Sequence, residues 1–140
     1  MSAPRIAASA TAVPQYRWDQ DALLRLSGYK GQRAGFFSNS QIDGRYLYLD
    51  PETFTPNESV DQLNERFERG AIEIGTAAVR NVLGRAGWTP GDIDFIATTT
   101  CTGRLCPSLD ARLIDTLTLK PSVQRVHVGD TGCASAMVAM

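Results

Sequence analysis

Gly129-Asp130-Thr131-Gly132-Cys133-Ala134-Ser135-Ala136 sets a cysteine where a strand-like run gives way to small, helix-compatible residues. A thiol in that place is a candidate nucleophile. The unpaired N–H groups and the dipole at a helix N-terminus stabilise a thiolate, drawing its pKa below the free value of about 8.5. Gly132 allows a sharp turn and the close approach of another backbone. The small residues after Cys133 leave room for a thioester. Spacing alone fits equally well a small core cysteine on a tightly packed helix.

Two further thiols, Cys101 and Cys106, bring the cysteine count to 3, too few and odd for a disulfide framework. With 1 histidine, His127, and a Cys-x4-Cys spacing, they do not assemble a convincing set of four metal ligands, so no metal is expected. Alternation along Val123–Val128 makes His127 a packed or hydrogen-bonded side chain rather than a catalytic one.

These residues need elements to hold them. Arg5–Val13 reads as a short buried strand closed by Pro14, and Trp18–Leu26 as a helix ending near Gly28. Lys30–Asp43 is rich in Gly and Ser and reads as irregular. Arg45–Leu49 reads as extended, and Asp50–Asn57, with Pro51 and Pro56, as a surface connection. Ser59-Val60-Asp61-Gln62 is a capping-box pattern. Beyond it Val60, Leu63, Phe67, Ala71, Ile74, Ala78, Val82 and Leu83 recur at helical spacing, predicting a helix of about 26 residues, roughly 39 Å, that stops at Gly87. Thr89–Asp92 is a turn and Ile93–Thr100 a buried strand. A loop over Cys101–Cys106 follows, then a helix starting near Pro107. Val123–Val128 is a strand, Gly129–Gly132 a turn, and Cys133–Met140 a buried helix. The strand–helix alternation is that of an α/β sheet covered by helices.

Composition bounds the function. The chain has 140 residues, 43% hydrophobic and 21% charged, with a net charge of -1. That is the balance of a globular domain, not of a disordered chain. No basic stripe is present that would neutralise a run of phosphates, so nucleic acid is not an expected partner. The apolar runs fall short of the roughly 20 residues that span a bilayer. No secretory layout opens the chain, so a cytoplasmic location is expected.

The run Thr98-Thr99-Thr100-Cys101-Thr102-Gly103, then Pro107-Ser108-Leu109-Asp110-Ala111-Arg112-Leu113, then Leu119–Val126 and Gly132-Cys133 resembles the approach to the catalytic cysteine in type III polyketide synthases. These are chalcone/stilbene synthase-like enzymes of the thiolase superfamily, and the likeness is to their bacterial branch. Ile42, Arg45, Tyr46, Tyr48 and Leu49 resemble the family's Ile-x-x-Arg-Tyr-x-Tyr-Leu segment. The resemblance covers nearly the whole chain and is most specific over residues 93 to 133. It implies the N-terminal half of a thiolase-like αβαβα layered fold, with residues 1–140 as one N-terminal domain incomplete at its C-terminal end.

The resemblance also implies an acyltransferase. Cys133 would take a starter acyl group from an acyl-CoA, and malonyl-CoA would extend it by decarboxylative Claisen condensation to a polyketide. Coenzyme A thioesters are then substrates, no cofactor is needed, and the complete enzyme is a homodimer. Thr100, Cys101, Thr102 and Cys106 fall where the family lines its acyl cavity, Cys106 on the loop that reaches across the dimer. The family's His and Asn, which promote decarboxylation and hold the oxyanion, lie beyond Met140, so the chain alone is expected to be inactive. Cations that bind coenzyme A phosphates in plant members are replaced by Gln32, Gly35 and Asn39. Lys30 and Arg33 are the nearby substitutes, although ordinary surface charge fits them as well. Two other readings stand: a ketoacyl-ACP synthase III-like condensing enzyme, and a non-catalytic partner subunit or truncated pseudoenzyme.

Overall fold

A computed structural model describes residues 3–129 and 131–140. Contacts divide the chain into two compact units, one of Val13–Leu63 and one of Met1–Ala12 with Asn64–Met140.

In the smaller unit, β1 (Tyr16–Asp19) pairs antiparallel with β2 (Gly44–Leu47), Tyr16 opposite Leu47 and Asp19 opposite Gly44. The helix expected from Trp18 starts two residues later, as α1 (Gln20–Ser27). Trp18 instead belongs to β1, and its indole N–H donates to the Leu49 carbonyl at 3.0 Å. Asp19 caps α1, its carboxylate accepting from the Ala22 N–H at 2.5 Å. Gly28 ends the helix at φ +65°, a conformation that suits glycine. Lys30–Asp43, expected to be irregular, contains α2 (Gln32–Ser38). None of its residues is buried, so no apolar stripe betrays it in the sequence. What holds it is local: Tyr29 meets Phe37 edge-on at 5.6 Å, and the buried Gln20 amide donates to the Phe37 carbonyl at 2.8 Å and to Ser40 Oγ at 2.9 Å.

The long helix is α3 (Val60–Ala86). Its capping box forms as expected, with the Gln62 N–H on Ser59 Oγ at 3.2 Å and the Ser59 N–H on Gln62 Oε1 at 2.8 Å. Gly87, at φ +70°, follows its end.

In the larger unit, β3 (Phe95–Thr100) and β4 (Gln124–Gly129) lie parallel, joined through α4 (Leu109–Leu117). The register sets Ile96 beside Arg125, Thr98 beside His127 and Thr100 beside Gly129. Leu113, Leu117 and Leu119 form the core, with Val79 of α3, Ile93, Ile96 and Val123 against it. Gly75 lets α3 approach α4 closely, since a Cβ there would stand 3.2 Å from Leu113. Before β3, Thr89 donates from its N–H and its hydroxyl to Asp92 Oδ2, each at 2.7 Å. Those two hydrogen bonds hold the Asp92 carboxyl below its usual range.

Arg5–Val13 departs from expectation. It carries the alternating exposure of a strand from Ala8 to Val13, yet pairs with no other described strand. Two of its carbonyls go to α3 side chains instead: Ser9 O accepts from Arg85 at 2.8 Å and Thr11 O from Asn81 at 3.3 Å. A ladder needs a partner, and the side chains of α3 satisfy the backbone in its place.

The chain closes with a 3-10 turn, Gly132–Ala134, and α5 (Ser135–Ala139), packed on β3 and β4. This segment was expected to be buried, but only Ser135 is. Met137 is 73% and Val138 63% exposed, because a helix this short turns a single residue onto the sheet.

Candidate functional site

Cys133 lies in the 3-10 turn between β4 and α5 and is exposed. Gly132 enters the turn at φ +60°. Apart from its two chain neighbours, no described atom lies within 4 Å of the place a Cβ would take. Its contribution is the backbone angle. Behind the cysteine, Ser135 pins the turn: its hydroxyl donates to the Gly132 carbonyl at 2.6 Å and meets Thr131 Oγ1 at 2.5 Å. Ser135 is 3% exposed, so one side of both bonds is shielded from water. Sequence reasoning passed over this pair, although hydroxyls four residues apart around a Gly-Cys are a readable signal. Asp130 lies outside the described residues.

The parallel register brings the Cys133 turn and the loop that follows Thr100 to one end of the sheet. Thr100 and Gly129 end their strands side by side. The loop of Cys101, Thr102 and Cys106 and the turn of Cys133 therefore leave the same edge of the sheet, the carboxyl end, where open α/β sheets bind ligands. Thr100 is half-buried, while Cys101, Thr102 and Cys106 are exposed. Gly103 holds the loop near α3: a Cβ there would stand 2.1 Å from the Phe67 ring.

Asp110 is 1% exposed and anchors α4 to β4. It accepts from Arg125 at 2.9 Å and from the Ser108 hydroxyl at 2.5 Å. Burial pushes its carboxyl up, but those hydrogen bonds and the Arg125 charge outweigh it and hold the group below its usual range.

Lys30 and Arg33 belong to the smaller unit, and both are exposed. The Arg33 guanidinium sits 5.9 Å above the Tyr29 ring. Gln32, Gly35 and Asn39 follow α2 at spacings of three and four, so they share one face of it, and none carries a charge. A concavity of about 520 Å³ in this unit is lined in part by Asp19, Asp21, Asp43 and Arg25. Three carboxylates to one guanidinium make it a poor phosphate cradle. Ile42 of the Ile-x-x-Arg-Tyr-x-Tyr-Leu segment lines it, but none of the predicted site residues does. No group of three or more His, Cys, Asp or Glu suited to a metal occurs among the described residues, and none of their helices is long and apolar enough to cross a membrane.

No family model matches the chain. Individual relatives do. A 3,5-dihydroxyphenylacetyl-CoA synthase from Streptomyces toyocaensis is 30% identical over 98% of this chain and 36% of its own length. The polyketide synthase PKS-I of the brown alga Ectocarpus siliculosus superimposes with a TM-score of 0.79 at 29% identity, over 95% of this chain and 41% of the other. The C-terminal type III polyketide synthase domain of Steely1, a type I/III hybrid from Dictyostelium, gives a TM-score of 0.78 at 25% identity, over 96% and 42%. The chain thus spans about a third of the length of the curated relatives it matches. The fold is thiolase-like α/β, as the sequence implied. Sequence shared across nearly all of these residues, and structure shared with it, make the chain similar throughout to type III polyketide synthases, the family of its curated relatives and structural neighbours.

Proposed function

We propose that the protein carrying this chain is a condensing acyltransferase in which Cys133 accepts the starter acyl group. The Cys133 thiolate attacks the carbonyl of an acyl-CoA; the carbon–sulfur bond to coenzyme A breaks and coenzyme A leaves as its thiol. Malonyl-CoA then loses CO2, and the resulting carbanion attacks the Cys133 thioester. That step forms the new carbon–carbon bond and releases the Cys133 thiolate, leaving a β-ketoacyl-CoA for further rounds. A thiol suits both halves, since it is readily acylated and its thioester accepts carbanions.

One observation carries this reading. Cys133 stands exposed in a pinned turn at the same sheet edge from which the Thr100–Cys106 loop departs. That edge offers a nucleophile beside a loop of small polar and thiol side chains, the makings of an acyl-cavity wall. Cys106 and Cys101 serve there as small wall residues, with Thr100 and Thr102 flanking them. Groups that promote decarboxylation and hold the oxyanion come from outside these 140 residues, in a complete homodimeric enzyme. Replacing Cys133 by Ala in the complete enzyme should abolish product formation from acyl-CoA and malonyl-CoA. Undiminished turnover by that variant would refute the assignment.

The uncharged face of α2 favours a second reading, in which a carrier protein rather than coenzyme A presents the malonyl group, as in ketoacyl-ACP synthase III-like enzymes. Lys30 and Arg33 are then surface charge only. Comparing malonyl-CoA with malonyl-carrier protein as extender separates the two. Faster turnover of the CoA ester, with loss of affinity in a Lys30→Ala/Arg33→Ala double variant, supports coenzyme A delivery.

A further inference from the structure

His127 and two threonines form a hydrogen-bonded line that ends on the loop carrying the other two cysteines. Thr98 Oγ1 lies 2.8 Å from His127 Nδ1, and His127 Nε2 lies 3.4 Å from Thr100 Oγ1. Thr100 Oγ1 in turn lies 3.1 Å from the Gly103 carbonyl oxygen. A carbonyl only accepts, so the single hydroxyl proton of Thr100 is committed to Gly103. Thr100 must then receive, which puts the imidazole proton on Nε2. Nδ1 is left with a lone pair, and Thr98 donates to it. Every bond in the line points the same way, from strand to loop. Thr98 is 9% exposed and His127 half-buried, so water competes poorly for these groups. Phe67 supports the far end, packed where Gly103 has no side chain.

We propose that His127 is a positioning residue: through Thr100 it fixes the Gly103 carbonyl and so sets where the Cys101–Cys106 loop stands beside Cys133. Its consequence for the acyl groups accepted rests on the condensing-enzyme reading above; the line itself does not. A one-way line has a definite proton arrangement, and a histidine that merely filled space would not need one. Gln offers an acceptor oxygen and a donor nitrogen, so it can continue the line where Leu cannot.

Backbone hydrogen exchange in the full chain tests the idea without reference to activity. Thr100→Val and His127→Leu should speed exchange over residues 101 to 106 about fivefold, the scale of one lost hydrogen bond, while the second half of α3 keeps its protection. His127→Gln should restore the loop to near its original rate. Nitrogen NMR of the complete enzyme, with the His127 signal assigned by its loss in His127→Gln, should find the proton on Nε2 and a hydrogen-bonded Nδ1. A proton on Nδ1, loop exchange unmoved by Thr100→Val, or no rescue by Gln would each overturn the proposal. In the complete enzyme, His127→Leu should shift the ratio of starters accepted while Cys133 remains acylated; an unchanged ratio alongside a loosened loop would overturn only the consequence for substrates.

Discussion

Asp110 shows how one side chain holds two elements in register. It lies in the first turn of α4 and reaches Arg125 of β4, so the helix cannot slide along the strand without breaking that pair. Arg125 is half exposed, which screens its charge, and the net worth of the contact is correspondingly modest. Asp110→Ala should cost about 1–3 kcal/mol, measurable by urea denaturation. The pH dependence has a definite sign. Because the folded carboxyl titrates below its unfolded value of about 3.9, its stabilisation is complete above that value and disappears as pH falls through the folded pKa. An Asp110→Asn variant should therefore lose stability at neutral pH yet show a shallower acid limb than the parent; an acid limb of unchanged slope would rule out this ion pair as its source. Ser135 acts on a smaller scale. Replacing it by Ala removes the bond to Gly132 and should widen the range of conformations open to Cys133, seen as faster exchange at residues 133 and 134.

At the scale of elements, packing between α3 and α4 through Gly75 and Leu113 is what keeps β3 and β4 covered on one face. Leu113→Ala should cost about 2–5 kcal/mol, the range for a buried leucine whose surroundings do not collapse into the space. Arg85→Ala should leave the core intact but free the Ala8–Val13 stretch, so limited proteolysis should cut there first. These elements were unequally legible in the sequence. The ends of α3 could be read because both signals are local, a Ser-x-x-Gln box at one end and a glycine beyond the other. β3 and β4 could be read from their runs of β-branched and alternating residues. α2 could not, because an edge-on aromatic pair and the side chain of Gln20 hold it, and neither leaves a periodic trace. Arg5–Val13 misled in the opposite way: its alternation is real, but a pattern of 2 does not supply a partner. For the site, the Gly-Cys turn was legible because it is contiguous. The meeting of that turn with the Cys101–Cys106 loop follows from the Thr100–Gly129 register, which depends on residues far apart in the chain. The line through His127 depends on the same register and was invisible for the same reason.

For the molecule as a whole, the core is small for the apolar surface present. Among the described residues five hydrophobic side chains are buried, whereas Phe95 is 54%, Val126 40% and Met137 73% exposed. Apolar side chains left open on a sheet and its covering helix suit a surface that something else covers. With the chain spanning about a third of its relatives, the remainder of a complete enzyme is the occupant we propose. The 140 residues alone should accordingly bind a hydrophobic dye and self-associate, and the complete protein should do neither. The proposed chemistry turns on a single thiol, and the measurement that addresses it is peptide mass spectrometry after mixing the complete enzyme with an acyl-CoA. We expect the acyl group on the peptide containing Cys133, absent from those of Cys101 and Cys106, and lost on adding malonyl-CoA. An acyl group carried on another residue, with Cys133 still free, would contradict it.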